Sequence, residues 1–134
     1  MNDMKYLSDL DLKNKKIGLR VDLNVPIDNG EILSHERLSA ALPTILEILK
    51  HTRRLCIISH LGRPVEGNFS ESLSLEPIKK WFEKRLNKSI PLIKKLEEIP
   101  DDLCFLENIR FFDGESSNDK KFARMLANQF DIYV

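Results

Sequence analysis

The sequence is short of most features that mark a specialised chain. It has 5 glycines and 6 prolines among 134 residues, which excludes collagen-like repeats and low-complexity linkers. Its 2 cysteines, Cys56 and Cys104, each sit inside an apolar run with no second cysteine or histidine at ligand spacing. Neither a disulfide framework nor a structural zinc site is expected, and both read as small buried hydrophobes in a reducing compartment. There is no excess charge of either sign: Lys+Arg and Asp+Glu both number 21. That balance excludes a nonspecific nucleic-acid binder and a polybasic membrane-surface protein. Long apolar runs are missing too. The longest, Leu55–Ile58 and residues 103–106, fall far below the roughly 20 residues of a membrane span or the roughly 7–15 of a signal-peptide core. No GxxxxGK[ST] loop, GxGxxG fingerprint, GxSxG elbow or HExxH helix is present. What remains is 42% hydrophobic and 31% charged residues, enough for one domain that needs no staples. The chain reads as soluble and intracellular, with a cytoplasmic location.

Two periods run along the chain. Residues 16–25 alternate, placing Ile17, Leu19, Val21, Leu23 and Val25 on one side. Residues 55–59 and 103–106 are continuous apolar runs, the form taken by strands covered on both faces. Residues 90–93 and 131–134 are further strand candidates. A helical stripe follows the first strand at Leu38, Ala41, Leu42, Ile45, Leu46 and Leu49, with Ser34 as N-cap. Pro43 either kinks that helix or delays its start. Residues 75–87 put Ile78, Trp81, Phe82 and Leu86 on one stripe, with Ser74 as cap and Pro77 in the first turn. Residues 118–129 carry Phe122, Met125 and Leu126 in phase with Phe130, and Asn118 as cap. The alternation predicts an α/β fold: an open parallel sheet with helices on both faces, Rossmann-like in its three layers, with right-handed crossovers. A strand over 131–134 has no loop after it, so the sequence reads as an incomplete domain. Its exposed edge invites self-association.

The first strand breaks the pattern of a doubly covered sheet. Its second face carries Gly18, Arg20, Asp22 and Asn24. One reading is an edge strand with a solvated face. Its neighbours point elsewhere. His60, Leu61, Gly62 and Arg63 follow directly on the second strand, Glu107, Asn108 and Arg110 follow the 103–106 strand, and Arg37 opens the first helix. Ligands of open α/β sheets bind at the carboxyl ends of the strands. Arg20, Arg37, Arg63, Arg110 and His60 gathered there repel one another unless a multiply charged anion balances them. Arginine's planar fork suits phosphate and carboxylate oxygens, and Gly62 admits a close backbone approach. Solvation accounts for each arginine alone; the shared edge points to a small anion bearing a phosphate and a carboxylate. His35 and His51 read as surface residues and Trp81 as core.

Leu19-Arg20-Val21-Asp22-Leu23-Asn24-Val25-Pro26, Ser59-His60-Leu61-Gly62-Arg63-Pro64 and Leu106-Glu107-Asn108-Ile109-Arg110-Phe111 together resemble the N-terminal signature of the phosphoglycerate kinases. Arg37 with Leu38, then Ala41-Leu42-Pro43-Thr44-Ile45, is similar to the intervening helix of that family, in register from about Leu7 to the last residue. The resemblance implies a two-domain, monomeric glycolytic kinase that moves a phosphoryl group reversibly between 1,3-bisphosphoglycerate and ADP, giving 3-phosphoglycerate and ATP. Residues 1–134 correspond to the N-terminal part of the 3-phosphoglycerate-binding domain. The C-terminal domain that holds Mg-ATP or Mg-ADP is absent, as is an Asp-Ala-Phe-Gly…Ala-His-Arg stretch with one substrate-binding arginine. The fragment alone is expected to be inactive and to bind no cofactor, metal, nucleic acid or membrane. Carried over by position, Asp22 and Asn24 orient the glycerate, and Arg63 and Arg110 with His60 grip the 3-phosphate. Arg20 adds to the positive field, and Leu23, Leu61 and Gly62 complete the substrate-binding set. Arg37 lies by the substrate carboxylate and is the catalytic residue. An alternative is a stand-alone anion-binding module without catalysis; another is a purely structural fragment.

Overall fold

The computed structural model describes residues 13–61, 73–109 and 120–134. In chain order the elements are β1 (Ile17–Arg20), β2 (Ile27–Asp28), β3 (Glu31–Ile32), α1 (Glu36–Leu49), β4 (Leu55–Ile58), α2 (Glu76–Leu86), β5 (Leu92–Ile93), β6 (Cys104–Leu106), α3 (Lys120–Ala127) and β7 (Ile132–Tyr133). Five strands pair in the order β5-β6-β4-β1-β7, every pair parallel, and β2 and β3 form a separate antiparallel hairpin. The expected parallel α/β sheet is present. β1 lies inside it, between β4 and β7, so the edge-strand reading of its polar face does not hold.

Strand alternation sorts the core into two layers. Ile17, Leu19, Leu55, Ile57 and Phe105 face one way and pack with Leu38, Ile45 and Ile48 of α1 and with Ile78, Trp81 and Phe82 of α2. Cys56, Ile58, Cys104 and Leu106 face the other way, against Leu96, Ile99 and the α3 residues Phe122 and Leu126. Helices therefore cover both faces. Met125 departs from the expected stripe: it is 48% exposed, because only the i, i+4 pair Phe122 and Leu126 turns inward. Cys56 and Cys104 are register partners on adjacent strands, both buried free thiols. A hydrogen bond with Cys104, reinforced by burial, pushes the Cys56 thiol well above its ordinary range. Gly18 lies on the same second face, where a Cβ would meet the Phe130 ring at 2.5 Å, so glycine is what lets that ring seat on β1.

The helix ends differ from expectation. The N-cap position of α1 is His35, without a side-chain cap bond, and Ser34 lies one residue outside it. The first helical bond runs from the Ser39 N–H to the His35 carbonyl, and Glu36 supplies a negative charge in the first turn. Pro43 neither delays the start nor ends the helix. It and Ser39, whose carbonyl loses its partner to the proline, are both exposed, so water can serve the freed oxygen. At α2 the cap position is Leu75, yet the Ser74 hydroxyl still accepts the Glu76 N–H at 3.1 Å. Asn118 lies outside the described residues. The β2–β3 hairpin is an element the hydrophobic periods do not reveal. Its turn places Asn29 and Gly30 at φ 53° and 78°, the consecutive left-handed residues of a tight hairpin, and that Asn-Gly pair is the signal for it.

Candidate functional site

All five parallel strands end on the same edge of the sheet, so the residues after them share one surface. The β1 ladder stops after the Val21 N–H reaches the Ile58 carbonyl at 3.0 Å. There the buried Ser59 hydroxyl takes over, accepting the Leu23 N–H at 3.0 Å. This holds residues 21–25 beside the exit of β4, their burial still alternating, with Leu23 and Val25 in the first core layer. Asp22 and Asn24 are thereby turned away from that layer. The Asp22 carboxylate accepts the Asn24 N–H at 3.1 Å, a local side-chain turn that stiffens the loop.

Arg37, the second residue of α1, returns to this loop. Its NH1 nitrogen donates to Asp22 Oδ1 at 3.0 Å and to the Asn24 carbonyl at 2.8 Å. The intervening hairpin, closed at its base by the Leu33 N–H on the Pro26 carbonyl at 2.9 Å, carries the chain out and back. Three of the expected residues thus meet directly. The Arg37 and Asp22 side chains are 54% and 61% exposed, so their ion pair is a surface one.

The remaining expected residues divide. Arg20 is exposed at the carboxyl end of β1, with its N–H on the Val134 carbonyl at 3.0 Å. His60 is half-buried just beyond β4. Leu23 and Leu61 are core side chains, 0% and 4% exposed, so only their backbone can face a ligand. Gly62, Arg63 and Arg110 lie outside the described residues. A cleft of about 1080 Å³ lies elsewhere, between the hairpin, the start of α2 and β5. It is lined by Lys79, Lys80 and Lys94 and shares Glu107 with the β6 exit, but none of Arg20, Asp22, Asn24, Arg37 or His60 borders it.

The sequence places Glu107 and Asn108 on the ligand edge beside Arg110 but assigns neither of them a role of its own. Glu107 and Asn108 are 2% and 0% exposed. Glu107 Oε1 accepts the N–H groups of Leu75 at 2.8 Å and of Asn108 at 2.7 Å, while Oε2 accepts the Ser74 hydroxyl at 2.7 Å. The Asn108 side-chain nitrogen donates to the carbonyls of Leu61 at 2.7 Å and Leu73 at 2.9 Å. The Ile109 N–H reaches the Ser59 carbonyl at 3.0 Å. The sequence signals for this cluster are a polar pair set directly after an apolar strand and its place within the 106–111 motif, and neither says that the pair is buried.

Known proteins share this sequence pattern and this fold. A family model described as phosphoglycerate kinase matches residues 7–134. The phosphoglycerate kinase of Legionella pneumophila (strain Lens) is 43% identical over 138 residues, covering 100% of this chain and 35% of the relative. A solved structure of phosphoglycerate kinase from Coxiella burnetii superposes with a TM-score of 0.88 at 42% identity, over 95% of this chain and 33% of that one. The enzyme from Pyrococcus horikoshii OT3 gives 0.80 at 27% identity, over 97% and 36%. The chain spans about a third of the length of the relatives it matches. With the family matched from residue 7 to residue 134 and the fold shared across it, this chain belongs to the phosphoglycerate kinase family.

Proposed function

We propose that the chain forms part of the 3-phosphoglycerate-binding domain of a cytoplasmic, monomeric phosphoglycerate kinase, whose second substrate, the magnesium nucleotide, is held by a C-terminal domain outside these 134 residues. The observation that carries this reading is the junction of Arg37 with Asp22 and Asn24 at the carboxyl edge of β1, within a chain whose family is established. The substrate carboxylate has an ordinary pKa of roughly 3.5, so it is already ionised at neutral pH and its attack needs no general base. The obstacle is the approach of one anion to another. Alignment, exclusion of water and positive charge around the moving group are what the protein has to supply. Asp22 and Asn24 orient the glycerate. His60, Arg63 and Arg110 hold the 3-phosphate, Arg20 adds to the field, and Arg37 stabilises charge on the transferring phosphoryl group.

The test is a titration of the 15N-labelled chain with 3-phosphoglycerate. Amide shifts at Asp22, Asn24 and His60 that weaken as salt is raised support the reading. A flat response at those positions overturns it.

A further inference from the structure

Glu107 puts a carboxylate in a buried place, where its oxygens need hydrogen-bond donors to replace water. It is served by three donors, two of them backbone N–H groups that a neutral, apolar side chain would leave unpaired. Asn108 uses one side-chain nitrogen to fasten Leu61 and Leu73, the two residues that flank 62–72, at a single point. From there short stretches of backbone and single hydrogen bonds alternate toward the loop after β1. Ile109 holds the Ser59 carbonyl, the Ser59 hydroxyl holds the Leu23 N–H, and Leu23 lies between Asp22 and Asn24, which hold Arg37. The exit of β6 thus sets the exit of β4, which in turn sets the loop after β1.

We propose that Glu107 and Asn108 are positioning residues for the anion site: without touching the ligand, they lock the exits of β4 and β6 and the start of α2 into one spacing. This rests on the functional reading given above. An apolar pair of similar volume would fill the same space, but it could not fasten the Leu61 backbone after β4 and the Leu73 and Leu75 backbone before α2 to the exit of β6. What the polar pair adds is geometry.

The experiment measures 3-phosphoglycerate affinity of the 134-residue chain by NMR titration, well below its melting temperature. The variants are Asn108→Ala and the milder Asn108→Ser, with Thr52→Val as control. Thr52 is also buried and bonded through its hydroxyl, to the Lys15 carbonyl at 2.8 Å, but at the opposite end of the sheet. Expected is a Kd raised about tenfold in the Asn108 variants, as when groups that orient a binding site are removed, and unchanged in Thr52→Val. A folded Asn108 variant that binds as tightly as wild type overturns the proposal, as does a Thr52→Val variant equally impaired. Should Asn108→Ala fail to fold, Asn108→Ser carries the same readout. Absence of binding by the wild-type chain would instead overturn the functional reading. The ligand-free amide positions of Asp22 and Asn24 then decide: displaced in Asn108→Ser, they support the lock; unmoved, they overturn it.

Discussion

Arg37 is held by two contacts through a single nitrogen, to a carboxylate and to a carbonyl, with both side chains of its ion pair largely in water. Exposed pairs of this kind contribute about 0–1 kcal/mol. The Asp22 contact therefore fixes the position of the Arg37 guanidinium over the loop without binding it tightly. In a full-length kinase carrying this sequence, Arg37→Ala is expected to lower kcat by about 10²–10³-fold with only a few-fold change in KM for 3-phosphoglycerate. Steady-state kinetics checks this; a loss confined to KM would make Arg37 a binding group only. Asp22 and Asn24 were legible as candidate site residues because strand alternation sends them away from the core, and Arg37 because it opens the helix that follows the same loop. Glu107 and Asn108 had no legible role. Their partners, Leu61, Leu73, Ser74 and Leu75, lie 32–47 residues away, and nothing local tells a buried acceptor from a solvated one.

The connection from α2 to β5 turns on one carboxylate. Asn87 ends the helix in the left-handed region, and Glu83 then reaches forward to accept the Ile90 N–H at 2.8 Å. That bond, with Lys79 at 3.5 Å adding to it, holds the Glu83 carboxyl below its ordinary value of 4.5. A carboxyl lowered on folding stabilises fully above its ordinary value, and that stability is lost as pH falls through the lowered one. Glu83→Gln should therefore melt below wild type at neutral pH, with the gap closing below about pH 4. Thermal unfolding between pH 7 and pH 3 follows this, and a gap that stays constant with pH would remove the carboxylate from the account. At this scale the strands and helices were legible from their periods, their ends less so. β1 reads longer than its ladder because the alternating burial continues through Leu23 and Val25, with the Ser59 hydroxyl holding the Leu23 N–H after the sheet bonds stop. The hairpin escaped because two-residue strands carry no period, although Asn29-Gly30 marks the turn.

Among the described residues no strand pairs outside β5 or β7, and β7 is the strand whose outer edge bears on association. Ile132 and Val134 bond inward to β1, which leaves the N–H and C=O of Tyr133 directed outward and without a strand partner among the described residues. We expect the 134-residue chain to associate weakly as concentration rises and Tyr133→Pro, which deletes the outward donor, to stay monomeric. Sedimentation velocity across a concentration series distinguishes the two, and identical profiles would acquit the edge. The place of β1 has a further consequence, in time rather than in space. It sits mid-sheet, yet one flank is completed by a strand whose junction, Lys16 to Asp131, joins residues 115 apart. Pairings so distant form late and slowly. A ribosome releases the groove at Gly18 long before it makes the Phe130 ring that fills it. Any pairing of β1 with β4 completed before residue 130 is made would leave that spot on β1 without its covering ring, and uncovered apolar surface of that kind is what chaperones shield.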